Sequence, residues 1–482
     1  MPMLGLGALA SARDFHVGSL LVSPSRRFIE GPAGSAHLQP QAMLVFFCLA
    51  QHEGQVVPRH LLFDRCWGAA PVGDDSINQA ISSVRHALMS VGADGLTIET
   101  VPRSGYRLVA TTPGAAHPSQ DYPPAVQRAY DCWRLGWPRP DVTEIAALAD
   151  FLTDKPSDAG GWGVLALLLR KAAEYASAAD CAEFVSRCEG AARHALRRDP
   201  QEPTARVALT GLTPLFGNWM AARAELSEVL ESFPDHAPAL HDFLFLEMAT
   251  GRPSVALPIT EQLLAEDHFA ATYHYKAMYQ LWTVGRLHEA EQMAARAMAL
   301  WPRHPANWLA RFWTLVGTSR ADQALRLIAD EDCRPTLPSA TLASLERTAM
   351  LIAAREAGGT VDDDVIAHAA KAVEIASFGP ANAVASLQTL CVLNAIDQAF
   401  EVAHGYYLGQ GSAAVPLRWN VADPSVTDQY RRVTQLLFIP LAARMREDPR
   451  FLTLCDEIGL SAYWDHHGIT PDFLAPSHSL HA

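Results

Sequence analysis

Asp75, Gln79, Ser82, Ser83 and His86 fall on one side of a helical stretch, with Asn78 and Arg85 on its flanks. Amides, hydroxyls and a guanidinium in such a row suit hydrogen bonding to base edges and phosphates. An amide matches adenine, a hydroxyl several groups, and an arginine guanine or phosphate. Bond-breaking chemistry is not suggested, because no spacing of the histidines and carboxylates singles out an acid–base pair. The other side of the stretch carries Ile77, Ile81, Val84 and Leu88 at i, i+4, i+7 and i+11, a single apolar stripe. A polar outer face is also what any solvated helix shows, so the neighbouring elements must decide.

Those elements make one compact α+β unit over residues 14–110. Short alternating segments, Phe15–Val17, Leu20–Val22, Phe28–Glu30 and Ala36–Leu38, predict an antiparallel meander. An apolar helix follows over Pro40–His52, closed by Gly54. A second helix spans Pro58–Trp67, with proline in its first turn. Gly68–Asp75 is a loop, and Ser76–Ser90 is the helix carrying the polar row. Thr97–Val101 and Tyr106–Ala110 then form a hairpin. A helix, a second helix and a closing hairpin in this order are the parts of a winged helix-turn-helix. Residues 111–124, TTPGAAHPSQDYPP, read as a linker.

Composition bounds the alternatives. The 482 residues are 49% hydrophobic and 19% charged, ordinary globular values, with a formal net charge of −14. That balance argues against generic coating of nucleic acid. From Arg13 to Val109 eight arginines offset eight carboxylates, so this unit is neutral and the remainder acidic. The longest clean apolar run, Met43–Ala50, is too short to cross a bilayer. Met1–Ala12 has no basic residue ahead of its apolar stretch and does not read as a secretory signal. Eight scattered cysteines without a CxxC suggest neither a disulfide framework nor a zinc ribbon, and a reducing cytoplasm is the default. GxxxxGK[ST], HExxH and GxSxG are absent, as is a GxGxxG after a strand. His466-His467 beside Asp465 lacks a third and fourth ligand at sensible spacing. We expect no catalytic residues, no metal and no cofactor.

Three separated runs sharpen the reading of residues 14–110: LQPQAMLVFFCLAQHEGQVVPRHLLFDRCWG, DDSINQAISSVRHAL and IETVPRSGYRLVA. In this order they resemble the OmpR-type winged-helix output domain of response regulators and of receiver-less one-component regulators of the ToxR/CadC kind. The likeness covers about 95 residues. It implies a DNA-facing helix that includes Asp75, Ser76, Gln79, Ala80, Ser82, Ser83 and Arg85. It implies wing residues Thr100, Arg103 and Tyr106 at or beside the DNA backbone or minor groove. Trp67 matches a tryptophan packed near a phosphate, and the loop 68–75 a segment that contacts RNA polymerase. Where many relatives carry two arginines, this chain has Ser82 and Ser83. No receiver domain precedes Asp14, so no phospho-aspartate switch is expected in this sequence.

The rest of the chain reads helical. Gly217, Gly251, Gly285 and Ser319 recur every 34 residues, and so do Ala222, Ala256, Ala290 and Ala324. Pro200, Pro234 and Pro302 form a third column with His268 in its gap. A period of 34 is that of tetratricopeptide helix pairs. The small residue passes the turn after the first helix, the alanine lets the second helix approach it, and the proline ends the second. We expect this array over 125–410, with degenerate pairs at 126–200 and 338–410, and a helical cap and tail over 411–482. The tail resembles the closing segment of other repeat-bearing regulators, where it caps the array. His274 and Tyr275 are candidates for lining a groove that holds a protein, peptide or small ligand.

The fold expected is therefore multidomain, a winged helix followed by an all-α array. The function expected is a cytoplasmic one-component regulator that binds promoter DNA, without a membrane partner and with a homodimer left open. A reading from another class stands beside it. The array would be an interaction scaffold, and the winged helix a protein-binding or degenerate module.

Overall fold

The computed structural model describes Leu9, Ala12 and residues 14–17, 20–31, 33–52, 56–67, 74–93, 96–101, 105–110, 122–135, 142–176, 178–267, 270–415 and 432–475. The chain divides into two compact units, Met1–Ser119 and Gln120–Ala482.

The first unit opens with a four-stranded antiparallel meander, β1 (Phe15–Val17), β2 (Leu20–Ser23), β3 (Phe28–Gly31) and β4 (Gly34–His37), in sequence order. The last strand begins two residues earlier than its alternation suggests, because Gly31 pairs with Gly34 and sets the register. Helix α1 (Pro40–Ala50) follows, then β5 (Val57–Pro58), α2 (Arg59–Cys66), α3 (Asp74–Ser90), β6 (Leu96–Val101) and β7 (Gly105–Ala110). The second sheet runs β5-β7-β6. The sequence reading has no strand at β5 and starts a helix at Pro58. That proline instead caps α2 in an extended conformation, and Val57 pairs with Tyr106. Met43, Phe46 and Leu49 of α1 share one core with Ile77, Ile81, Val84 and Leu88 of α3. Each such side chain contributes roughly 1.5–3 kcal/mol on burial, and the stripe on α3 is thereby fixed inward.

In the second unit the 34-residue period becomes geometry. First helices begin at Pro203, Ala237, Ala271, Pro305 and Ser339, and second helices at Trp219, Pro253, Leu287 and Ala321. Both series step by 34. Gly217, Gly251 and Gly285 take left-handed φ of 78°, 82° and 82° in the turn between the two helices. Ser319 takes the same conformation at 56°, which costs an L-residue about 1–2 kcal/mol. Ala256, Ala290 and Ala324 are buried, while Ala222 is half-buried. Pro234 and Pro302 follow the second helices ending at Ser232 and Leu300, and His268 lies outside the described residues. Among the described residues, four helices between 124 and 196 precede this series, and three between 362 and 408 follow the helix at Ser339 and close it.

The segment 432–475 does more than cap the last helices. It returns to the early pairs, as far as the turn at Thr250 and Gly251. Trp464 donates from Nε1 to Thr250 O at 2.8 Å, and Thr434 donates to Ala249 O at 2.6 Å. Asp472 accepts from the Ser254 amide and hydroxyl, each at 2.7 Å, which satisfies the start of helix Pro253–Glu266. Arg223 donates to the Tyr463 hydroxyl at 2.9 Å. Phe216, within the first of the four turns, stacks on Tyr407 at 5.8 Å, so a turn and a helix almost two hundred residues apart meet. Asp448, Arg450 and Phe451 serve this packing. Arg450 lies over the Phe400 ring and pairs with Asp397 and Asp448, and Phe451 is buried.

The interior of this unit also buries charge. Arg170 donates to Asp242 at 2.5 Å, His241 bonds Asp242 at 3.0 Å, and Lys276 reaches the other ring nitrogen of His241. Burial opposes the charge on Asp242, but the Arg170 guanidinium and the His241 ring together outweigh it and hold the carboxyl below its usual range. Burial and then Lys171 push the Lys276 ammonium well below its ordinary 10.5, with Arg170 adding to this and Asp242 and Glu174 opposing it. The folded chain thus favours the neutral amine, whereas the unfolded chain binds a proton below 10.5. Lys276 therefore lowers stability as pH falls from 10.5 toward the folded value. Lys276→Met should raise stability at pH 7 by about 1 kcal/mol, and the gain should shrink toward pH 10. Denaturant melts at both pH values check this; a gain that grows with pH would contradict it.

Candidate nucleic-acid interface

Helix α3 has one side locked and one side offered. Ile77, Ile81, Val84 and Leu88 are buried. Asn78, Gln79, Ser82, Ser83 and His86 are exposed, and Ser76 is half-buried. Among the described residues, Gln79, Ser82 and His86 form a row at i, i+3 and i+7 whose side chains bond to no protein group. The Ser83 hydroxyl donates back to Gln79 O at 2.9 Å, one turn earlier. The Asp75 side chain, Arg103 and the loop 68–73 lie outside the described residues.

Two of the expected DNA contacts have partners inside the unit. Arg85 donates from Nε and Nη2 to Ile98 O at 2.9 and 2.5 Å, and from Nη2 to Thr100 Oγ1 at 3.0 Å. Its guanidinium thus ties α3 to β6 instead of facing outward toward guanine or phosphate. The cause is geometric, since one helical turn beyond Ile81 the helix passes beside the first hairpin strand. Tyr106 is only 2% exposed. Its hydroxyl donates to Asn78 Oδ1 at 2.7 Å and accepts from Arg59 Nη2 at 2.7 Å. Arg59 also donates to Asn78 Oδ1 at 3.3 Å and lies 5.1 Å over the Tyr106 ring. This three-residue network joins α2, α3 and β7. Sequence reasoning missed Arg59, which lies 47 residues from its tyrosine with no periodicity linking them.

The hairpin supports the same helix. Gly105 is where β7 passes β5 most closely, and a Cβ there would meet Val57 O at 2.0 Å. Arg107 pairs with Glu99 across the hairpin at 2.6 Å. Thr100 is exposed at the wing. Trp67, at the end of α2, is half-buried, packs on the core and lies 6.0 Å from the Phe63 ring. Arg26 pairs with Asp14 at 2.9 Å. Several cations of the unit are thus committed to neighbours, and the surface of α3 is polar without being strongly basic. Such a face donates and accepts hydrogen bonds in a groove and draws little affinity from phosphate neutralisation.

The fold and this geometry define a winged-helix unit of the transcription-regulator kind. Residues 34–108 match the family described as transcriptional regulatory protein, C terminal. A stretch of 97 residues is 38% identical to the transcriptional activator CadC of Escherichia coli (strain K12). The likeness spans 20% of this chain and 19% of that relative, so about a fifth of either chain is compared. Among the described residues no helix is long and apolar enough to cross a membrane, and no three metal-ligating side chains converge.

Proposed function

We propose that the protein is a cytoplasmic one-component transcriptional regulator that reads double-stranded promoter DNA through α3. The carrying observation is the exposed row Gln79, Ser82 and His86 on a helix whose other side is buried, within a segment that matches a regulator family. Ser76, Asn78, Ser83, Thr100, Asp75, Arg103 and Trp67 complete the DNA-facing set, while Arg85 and Tyr106 hold the helix in place. The segment 68–75, whose last two residues open α3, is assigned to RNA polymerase. The helical unit takes a protein, peptide or small ligand, or pairs two copies as a homodimer, and so alters how the winged helices are presented. Tyr275 is half-buried and remains a candidate for its ligand platform, whereas His274 does not serve. His274 is buried and packs edge-on against Trp301 at 4.8 Å.

Few uncommitted cations mean few released counterions. The slope of log K against log salt should be shallow, about −2 to −3 per protomer, and tight binding should need two or more copies on a repeated site. A salt titration of full-length protein on genomic fragments retained against competitor DNA tests this. A slope of about −6 or steeper from a single copy would contradict it. Complete loss of retention to competitor would favour the scaffold reading, which the internal pairing of Arg85 and Arg107 supports.

A further inference from the structure

Asn78 differs from the other exposed polar residues of α3 because both of its hydrogen-bond partners approach the same atom. Tyr106 donates to Oδ1 at 2.7 Å and Arg59 donates to Oδ1 at 3.3 Å. The orientation of the carboxamide is not arbitrary. A guanidinium carries only donors, so turning the amide over would set two donors face to face. The Tyr106 hydroxyl also already accepts from Arg59 at 2.7 Å, which aims its own proton at Asn78. The oxygen is therefore held inward by a buried tyrosine and a half-buried arginine. The residue itself is exposed, and its Nδ2 makes no bond among the described residues.

We infer that Asn78 is a specificity residue that presents only N–H donors to the major groove and selects the O6/N7 edge of guanine. This rests on the proposed reading of DNA through α3. An unrestrained asparagine contacts adenine with both its oxygen and its nitrogen. Here the oxygen is taken twice, so the adenine pairing is closed. Cytosine N4 presents a donor to a donor, adenine N7 and thymine O4 each offer a single acceptor, and guanine offers two adjacent acceptors, so it engages the donors most fully. The network makes Tyr106 and Arg59 positioning residues, acting on base choice without touching a base.

The test is selection of binding sites from a random duplex library by full-length protein, beside Asn78→Asp and Tyr106→Phe/Arg59→Met variants. Asn78→Asp keeps an acceptor toward Tyr106 and Arg59 but turns an acceptor to the groove. At one operator position it should reverse the preference from guanine to cytosine or adenine, by on the order of tenfold. The double variant releases the oxygen and should admit adenine at that position. Thermal melts establish that each variant folds, and if the double variant does not, Asn78→Asp alone decides. An unchanged base at every position in Asn78→Asp overturns the inference, and so does a uniform loss of affinity, which would mark a phosphate contact. In either case selective binding by the wild type leaves DNA reading standing. Wild-type protein that selects no sequence overturns the DNA reading and this inference with it.

Discussion

Trp464→Ala should lower the stability of the helical unit by about 3–5 kcal/mol, the usual cost of removing a large buried aromatic. The side chain is 6% exposed, and its indole N–H donates to Thr250 O. Its ring lies 6.4 Å from Phe438 and 6.1 Å from Phe473. Truncation would open a cavity and leave the carbonyl of a tight turn unsatisfied. A simple repeat array behaves as a row of units that touch only their neighbours. This array does not, because residues from Leu215 to Trp464 share one hydrophobic cluster. Loss of Trp464 should therefore shift the whole transition of the helical unit in denaturant and leave that of the winged helix in place. A shift confined to the last helices would show that the returning segment is an accessory.

Gln79→Glu/Ser82→Glu should reduce DNA affinity by about 100-fold or more. Both side chains are exposed and bond to no other described residue through their side chains, so the substitutions cost the fold little. Placed in a groove they set two carboxylates against phosphates, and like charges at an interface cost several kcal/mol. Anisotropy titrations on a selected operator give the affinity, and thermal melts give the control. Substituting Arg85 would be a poorer probe. Its guanidinium holds the Ile98 carbonyl and Thr100, so a weakened complex could reflect a displaced helix.

The legible parts of the fold were those written in short-range pattern. The stripe Ile77, Ile81, Val84 and Leu88 predicted the buried side of α3, and that side is buried. The columns headed by Gly217 and Ala222 predicted where helices turn, and Gly217, Gly251, Gly285 and Ser319 all take left-handed φ there. Contacts between distant residues were not legible. Arg59 finds Tyr106, Arg85 finds Ile98, and Asp472 finds Ser254 across 218 residues. None of these has a period or a motif, because each arises only when separate elements meet. His274 misled for a related reason. Nearly every side chain of helix Ala271–Thr283 is buried, so periodicity could not say which side faced a groove. Within the candidate interface the polar row on α3 was legible. The division of its residues into exposed donors and internal ties required the three-dimensional neighbours.

Genome-wide selection of DNA fragments by the purified full-length protein, beside Gln79→Glu/Ser82→Glu, tests the central claim most directly. The account predicts discrete enriched sites for the wild type that vanish in a folded variant, with repeated half-sites whose spacing reports how two copies sit on DNA. Equal enrichment of the same sites by both proteins, or no enrichment by either, would contradict reading through α3.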